Sequence, residues 1–82
     1  MTEFISITEA KYIEDYKIHL KFNDDKERLL DFEKFISSSI HPDIKKYQNK
    51  ELFKQFTLQY GDLEWNDYEL AFPIYDLYQG KI

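Results

Sequence analysis

Few side chains in this 82-residue sequence could bring reactive chemistry to it. There are two histidines, His19 and His41, and a serine run, Ser37-Ser38-Ser39, that ends just before Ile40-His41. An acidic group, Glu64, Asp67, Glu69 and Asp76, lies around Trp65. A serine nucleophile needs a base, a group that orients the base and an oxyanion hole. "SSSIH" has the histidine but no glycine-rich elbow, so it reads as a polar linker. Acids beside a tryptophan suit a carbohydrate-cleaving pair on an aromatic platform. Within one strand, however, Glu64 points away from Trp65, and so small a domain has no depth for a cleft. The acids are expected to form a solvated rim.

The histidines fare no better. His19 lies between Lys17 and Lys21, whose ammonium groups disfavour both a metal ion and an imidazolium, so a solvated strand histidine is expected. His41 precedes Pro42-Asp43 and belongs to a turn. No segment has the spacing of an EF-hand, and no glycine loop is built to cradle phosphate. No catalytic, cofactor-binding or metal-ligating residue is therefore assigned, and an enzyme is not expected.

Composition narrows the function further. With no cysteine, neither disulfides nor thiolate zinc sites can supplement the core, and residues 1–82 form one small domain. Apolar residues make up 43% of the chain and aromatic residues 18%, and these rings must carry the core. The net charge of −5 removes the usual electrostatic footing for nucleic acid. "MTEFISITEAKY" has neither a basic region nor a long apolar run, so no leader is expected. No run of apolar residues is long enough to span a membrane, and a cytoplasmic protein follows as the expectation.

The elements that would position these residues begin with a meander over residues 4–32. Ile5 and Ile7 alternate with Ser6, then the phase shifts to Ala10 and Tyr12, which predicts a bulge near Thr8-Glu9. In "YKIHLKF", Tyr16, Ile18, Leu20 and Phe22 share one face, while Lys17, His19 and Lys21 share the wet one. For Leu30 and Phe32 to join the apolar face, paired positions must sum to an even number. A loop Asn23–Asp25 meets this with Asp25 left-handed, pairing Ile18 with Leu30, Tyr16 with Phe32, Lys21 with Glu27 and Lys17 with Asp31.

Residues 33–48 follow no single period and read as a connection with one helical turn, burying Phe35, Ile36, Ile40, Ile44 and Tyr47. "NKELFKQ" is a short helix capped by Asn49, with Leu52 and Phe53 inward. "FTLQY" and "LEW" form a hairpin in which Gly61 opens a type II′ turn, pairing Tyr60 with Leu63 and Leu58 with Trp65. Pro73 starts a last helix, which Gly80 ends. The expected fold is α+β, a single antiparallel meander of about five strands with short helices on one face.

The closing stretch "LEWNDYELAFPIYDLY" joins core and surface. Trp65, Phe72, Ile74, Leu77 and Tyr78 are expected in the core, with "PIYDLY" shielding the indole. Tyr68 and Tyr75 are less constrained. Exposed tyrosines suit partner surfaces because they offer large contact area at low entropy cost.

The strand and turn "LKFNDDKERLLDF", the "HPDI" segment, "KELFKQF" and the ending "LEWNDYELAFPIYDLY" together resemble the small bacterial proteins grouped as domain of unknown function 2442. The resemblance spans nearly the whole chain, and its ending is the more specific part. Two positions depart from the family's pattern, Asp25 where a glycine is usual and Asn66-Asp67-Tyr68 where the turn usually contains one. The resemblance implies a compact antiparallel α+β domain, found alone or ahead of a helix-turn-helix domain. It also implies a gene that often neighbours another small gene, as in toxin–antitoxin pairs.

The expected function is thus a non-catalytic protein-interaction module, the antitoxin-like half of a two-gene bacterial pair, with Tyr68, Tyr75, Asp67 and Asp76 as partner-binding residues. Its expected partner is a small basic protein, a homodimer is compatible with it, and neither nucleic acid nor membrane is expected. The alternative is a small-ligand or regulatory sensor domain without its own DNA-binding module.

Overall fold

A computed structural model describes residues 4–82. Residues 1–3, part of the stretch expected to lack a leader, lie outside the described residues. The strands form two antiparallel three-stranded sheets, not one sheet of about five. The first contains β1 (Ile7–Glu14), β2 (Lys17–Phe22) and β3 (Glu27–Asp31) in that order. The second contains β4 (Phe56–Gln59), β5 (Asp62–Trp65) and β6 (Leu70–Ala71). Sheets of this size cannot bury both faces alone, so helices and the opposite sheet complete the core.

The first sheet follows the expected register. Ile18 pairs with Leu30, Lys17 with Asp31 and Lys21 with Glu27, and Phe32 donates its N–H to the Tyr16 carbonyl at 2.9 Å. Asp25 takes φ 71°, the left-handed conformation that this register requires. The β1 ladder shifts between Ile7 and Glu9, where a bulge was expected, and again between Tyr12 and Glu14.

The second hairpin departs from its expected register. Leu58 pairs with Leu63 and Phe56 with Trp65, so the expected pairs Tyr60–Leu63 and Leu58–Trp65 do not form. Tyr60 (φ 53°) and Gly61 (φ 80°) are both left-handed, which makes a two-residue turn of type I′ rather than a II′ turn begun by Gly61. The slip is by two residues, so it preserves which side chains share a face. Tertiary contact explains the choice. Ile7 donates to the Gly61 carbonyl at 2.8 Å, joining the two sheets at this turn. A Cβ on Gly61 would lie 2.5 Å from the Ser6 Cβ, so glycine is required by approach as well as by φ.

Residues 33–48 are more helical than expected. They form α1 (Glu33–Ser38), α2 (Pro42–Lys45) and a 3₁₀ turn, Lys46–Gln48, ahead of α3 (Lys50–Phe53). Ser37 and Ser38 close α1 by donating to the Lys34 and Phe35 carbonyls, so they are not linker residues. Ile36 and Tyr47 are buried, but Ile40 is 85% exposed in the break before Pro42, contrary to expectation. Proline disfavours helix in the residue before it, which separates α1 from α2. Asn49 caps α3 as expected, accepting from the Glu51 N–H at 2.9 Å.

Trp65 is fully buried at the meeting point of helices and sheets. Around it lie the rings of Phe53 at 5.6 Å, Phe32 at 5.8 Å, Phe72 at 6.0 Å, and Tyr47 and Phe56 both at 6.2 Å. Its indole N–H donates to the Phe53 carbonyl at 2.8 Å, satisfying the one polar atom of the ring. This aromatic ring set surrounds the indole, in a core that also contains Leu77 of "PIYDLY", with Ile74 and Tyr78 packed against it. The last helix, α4 (Ile74–Gln79), buries Leu77 and sets Tyr78 edge-on to Phe22 at 5.1 Å. Gly80 ends it in the left-handed conformation, φ 74°.

Candidate functional site

The loop after β5 is the most unusual part of the backbone. Asn66, Asp67 and Tyr68 have φ of 49°, 55° and 66°, three consecutive left-handed residues with no glycine among them. Each such residue costs about 1–2 kcal/mol, less for Asn and Asp, whose short polar side chains bond locally. For tyrosine the conformation is a true outlier. Something must hold it.

The holder is Glu64. The pleat turns it away from Leu63 and Trp65, as expected, yet it is only 1% exposed, because the loop folds over it. The expected solvated acid is a buried one. One carboxylate oxygen accepts from the hydroxyl of Thr57, its cross-strand partner, and from Gln59 Nε2 at 3.0 Å. The other accepts the Tyr68 N–H at 2.7 Å. These bonds, with Thr57 foremost, followed by the Tyr68 N–H, then Gln59 and the Asp67 N–H, outweigh desolvation and hold the carboxyl below its ordinary range. The ionised group is thus an anchor for the left-handed loop.

Glu69 closes the other side. It meets Lys46 Nζ at 2.5 Å, the Tyr47 hydroxyl at 2.8 Å and Asn66 Nδ2 at 3.3 Å. Lys46 first, then Tyr47 and Asn66, lower its pKa to about 2. The Tyr47 hydroxyl is pushed up by burial and by Glu69. Beside the loop lies a cavity of about 490 Å³ whose lining includes Lys46, Tyr47, Gln59, Glu64, Asn66 and Asp67. Carboxyls held below their ordinary range by donors are poor proton acceptors near neutral pH, so this geometry is better suited to holding a loop than to acid–base work.

The structure divides the expected partner-binding residues into two places. Asp67 and Tyr68 sit on the anchored loop, with Tyr68 42% exposed and its hydroxyl donating to the Gln59 carbonyl at 3.2 Å. Tyr60, 95% exposed, stands on the neighbouring hairpin turn. Tyr75 and Asp76 are exposed on α4, with Tyr75 at 53%. Among the described residues no hydrogen bond, ion pair or ring contact links the two groups. His19 is half-buried and sits 2.9 Å from Glu27, so it has an acidic partner rather than only the two lysines. His41 is exposed and precedes α2.

Sequence reasoning missed Glu64 and Tyr60. The signal for Glu64 was the polar pair Thr57 and Gln59, which share one face of β4 beside a turn-forming Asn-Asp. Tyr60 lies in the turn itself, one residue beyond the last ladder pair, Gln59 with Asp62.

No helix among the described residues is long and apolar enough to cross a membrane. No curated protein and no solved structure matches the chain. Residues 7–82 do match a family described as protein of unknown function, DUF2442, and since that match covers nearly the whole fold just described, the chain belongs to this family.

Proposed function

We propose that this domain is a non-catalytic protein-interaction module, the antitoxin-like half of a two-gene bacterial pair, with Asp67 and Tyr68 at the centre of its contact surface. The observation that carries this reading is the left-handed turn Asn66–Tyr68, held over a buried carboxylate. Strained backbone persists only where its surroundings over-determine it, and such sites concentrate where function needs a fixed geometry. Here the product of the strain is a rigidly presented Tyr68 and Asp67, with Tyr60 nearby. Tyr75 and Asp76 offer a second patch on α4. The chain's charge of −5 favours a small basic partner.

The cavity beside Lys46 would be the natural place for the alternative, a small-ligand sensor. Its buried side-chain polar atoms already have partners within the protein, which favours the interaction reading.

The test is co-purification of the tagged full chain with a small basic protein encoded by the adjacent gene. A stoichiometric complex weakened by Tyr68→Ala is expected. No complex at micromolar concentrations would defeat the reading. A complex indifferent to both Tyr68→Ala and Tyr75→Ala would move the contact elsewhere.

A further inference from the structure

The edge of the first sheet carries an inference that does not depend on the tyrosine surface. β3 is an outer strand, and its register fixes which backbone groups are free. Phe22 donates to the Lys26 carbonyl and Phe32 to the Tyr16 carbonyl, so the even-numbered residues of this strand bond inward to β2. By alternation Glu27, Leu29 and Asp31 turn N–H and C=O outward. Among the described residues, no backbone bond outside the strand ladders reaches these groups. Leu29, at the centre, is 57% exposed. A groove of about 590 Å³ runs beside it, between Leu29–Asp31, the start of α1 and Gly80.

Charges on the wet face identify the occupant. Across the sheet Glu9, Lys21 and Glu27 form one row, and Glu14, Lys17 and Asp31 another. Each alternates acid, base, acid. Between them Lys11, His19 and Leu29 form the middle row, with His19 paired to Glu27. A further strand continues this pattern with a base opposite Glu27, an apolar residue opposite Leu29 and a base opposite Asp31. A second copy of this chain, paired antiparallel about Leu29, would set Glu27 against Asp31, acid against acid.

We propose that β3 accepts an added strand from a protein partner, an extended segment with an apolar residue flanked two positions away on each side by Lys or Arg. Backbone bonds to Leu29 supply the register, and the flanking bases supply the selectivity.

The test uses the full ¹⁵N-labelled chain and two capped heptapeptides, TKTVTKT and TETVTET, followed by amide shifts and hydrogen exchange. With TKTVTKT, exchange at the Leu29 amide should slow while that at Leu30, already bonded to β2, stays unchanged. TETVTET should bind about tenfold more weakly, since two favourable cross-strand pairs become unfavourable. Leu29→Pro removes the outward donor and should abolish the protection of this edge. If that variant does not fold, Leu29→Lys, a change at an exposed side chain, should weaken TKTVTKT binding instead. Equal binding of both peptides, shifts centred on residues 66–68, or unchanged binding by folded Leu29 variants would overturn the proposal. So would concentration-dependent protection of Leu29 without peptide, which would make the occupant a second copy. If the neighbouring gene's product is captured but Leu29→Lys makes no difference, this inference fails while the interaction reading stands.

Discussion

Glu64 accepts the main-chain N–H of Tyr68 at 2.7 Å, closing a turn in which Asn66, Asp67 and Tyr68 itself are left-handed. The contact couples a buried charge to a strained backbone, and each explains the other. The loop supplies donors that make an ionised carboxylate tolerable away from water, and the carboxylate holds the loop in a conformation that tyrosine disfavours.

Glu64→Gln should therefore destabilise the domain by about 1–3 kcal/mol, because it sets an amide N–H₂ against donors that need an acceptor. Denaturant unfolding measures the loss. Faster amide exchange at Asp67 and Tyr68 should accompany it, with little change in the first sheet. Unchanged exchange in the loop would show that the turn holds itself.

The same carboxyls contribute to acid stability, alongside Asp15 and Asp24, which are also held below their ordinary value by hydrogen bonds to Lys50 and Tyr78. Glu64 and Glu69 both lie below their ordinary value, Glu69 at about 2. In that interval the unfolded chain binds more protons than the folded one, so stability rises with pH. Their contribution is complete above about pH 5 and is lost as pH falls through the folded values. Melting temperature should decline from pH 5 to 2, and Glu69→Gln should flatten the slope. A slope of equal size in that variant would place the acid sensitivity in other carboxylates.

Two of the three left-handed aspartates offer the reverse test. Asp25 (φ 71°) and Asp67 (φ 55°) carry strain that glycine would relieve. Asp25→Gly should be neutral or stabilising by up to about 1 kcal/mol, since the relief exceeds the added freedom of the unfolded chain. Asp67→Gly should behave likewise in thermal melts but weaken capture of the partner if the Asp67 carboxylate is in the interface.

Trp65→Ala should unfold the protein, because removing so large a buried side chain costs about 3–5 kcal/mol and a domain of this size has little more to lose. Trp65→Phe is the informative variant. It keeps a ring in place but leaves the Phe53 carbonyl without its donor, which should cost about 1–3 kcal/mol in a chain that still folds. Circular dichroism with urea titration distinguishes the two outcomes.

Surface variants should separate function from fold. Tyr68→Ala, Tyr75→Ala, His19→Ala and His41→Ala should all retain the fold, because each side chain is exposed or half-exposed. Only the tyrosine variants should weaken partner capture. A folded His41→Ala variant that loses its cellular phenotype would reopen a catalytic reading.

Local pattern alone determined the first sheet. The alternation in "YKIHLKF", the cross-strand charges and a turn of polar residues agree on one register, since a single-residue slip would turn Leu30 and Phe32 to water. The Asn49 cap, the Gly80 stop and the burial of Trp65 were likewise legible, because caps and large apolar side chains act through their own chemistry. Tertiary structure decided the rest. The strands split into two sheets, and the second hairpin slipped by two residues, because Gly61 must meet the backbone of β1 beside Ser6, a contact between residues far apart in sequence. Glu64 is identical as a letter whether solvated or buried. What buries it is a loop whose own conformation is affordable only once Thr57, Gln59 and the carboxylate are already in place. Mutual stabilisation of that kind exists only in the folded chain, and no period in the sequence records it.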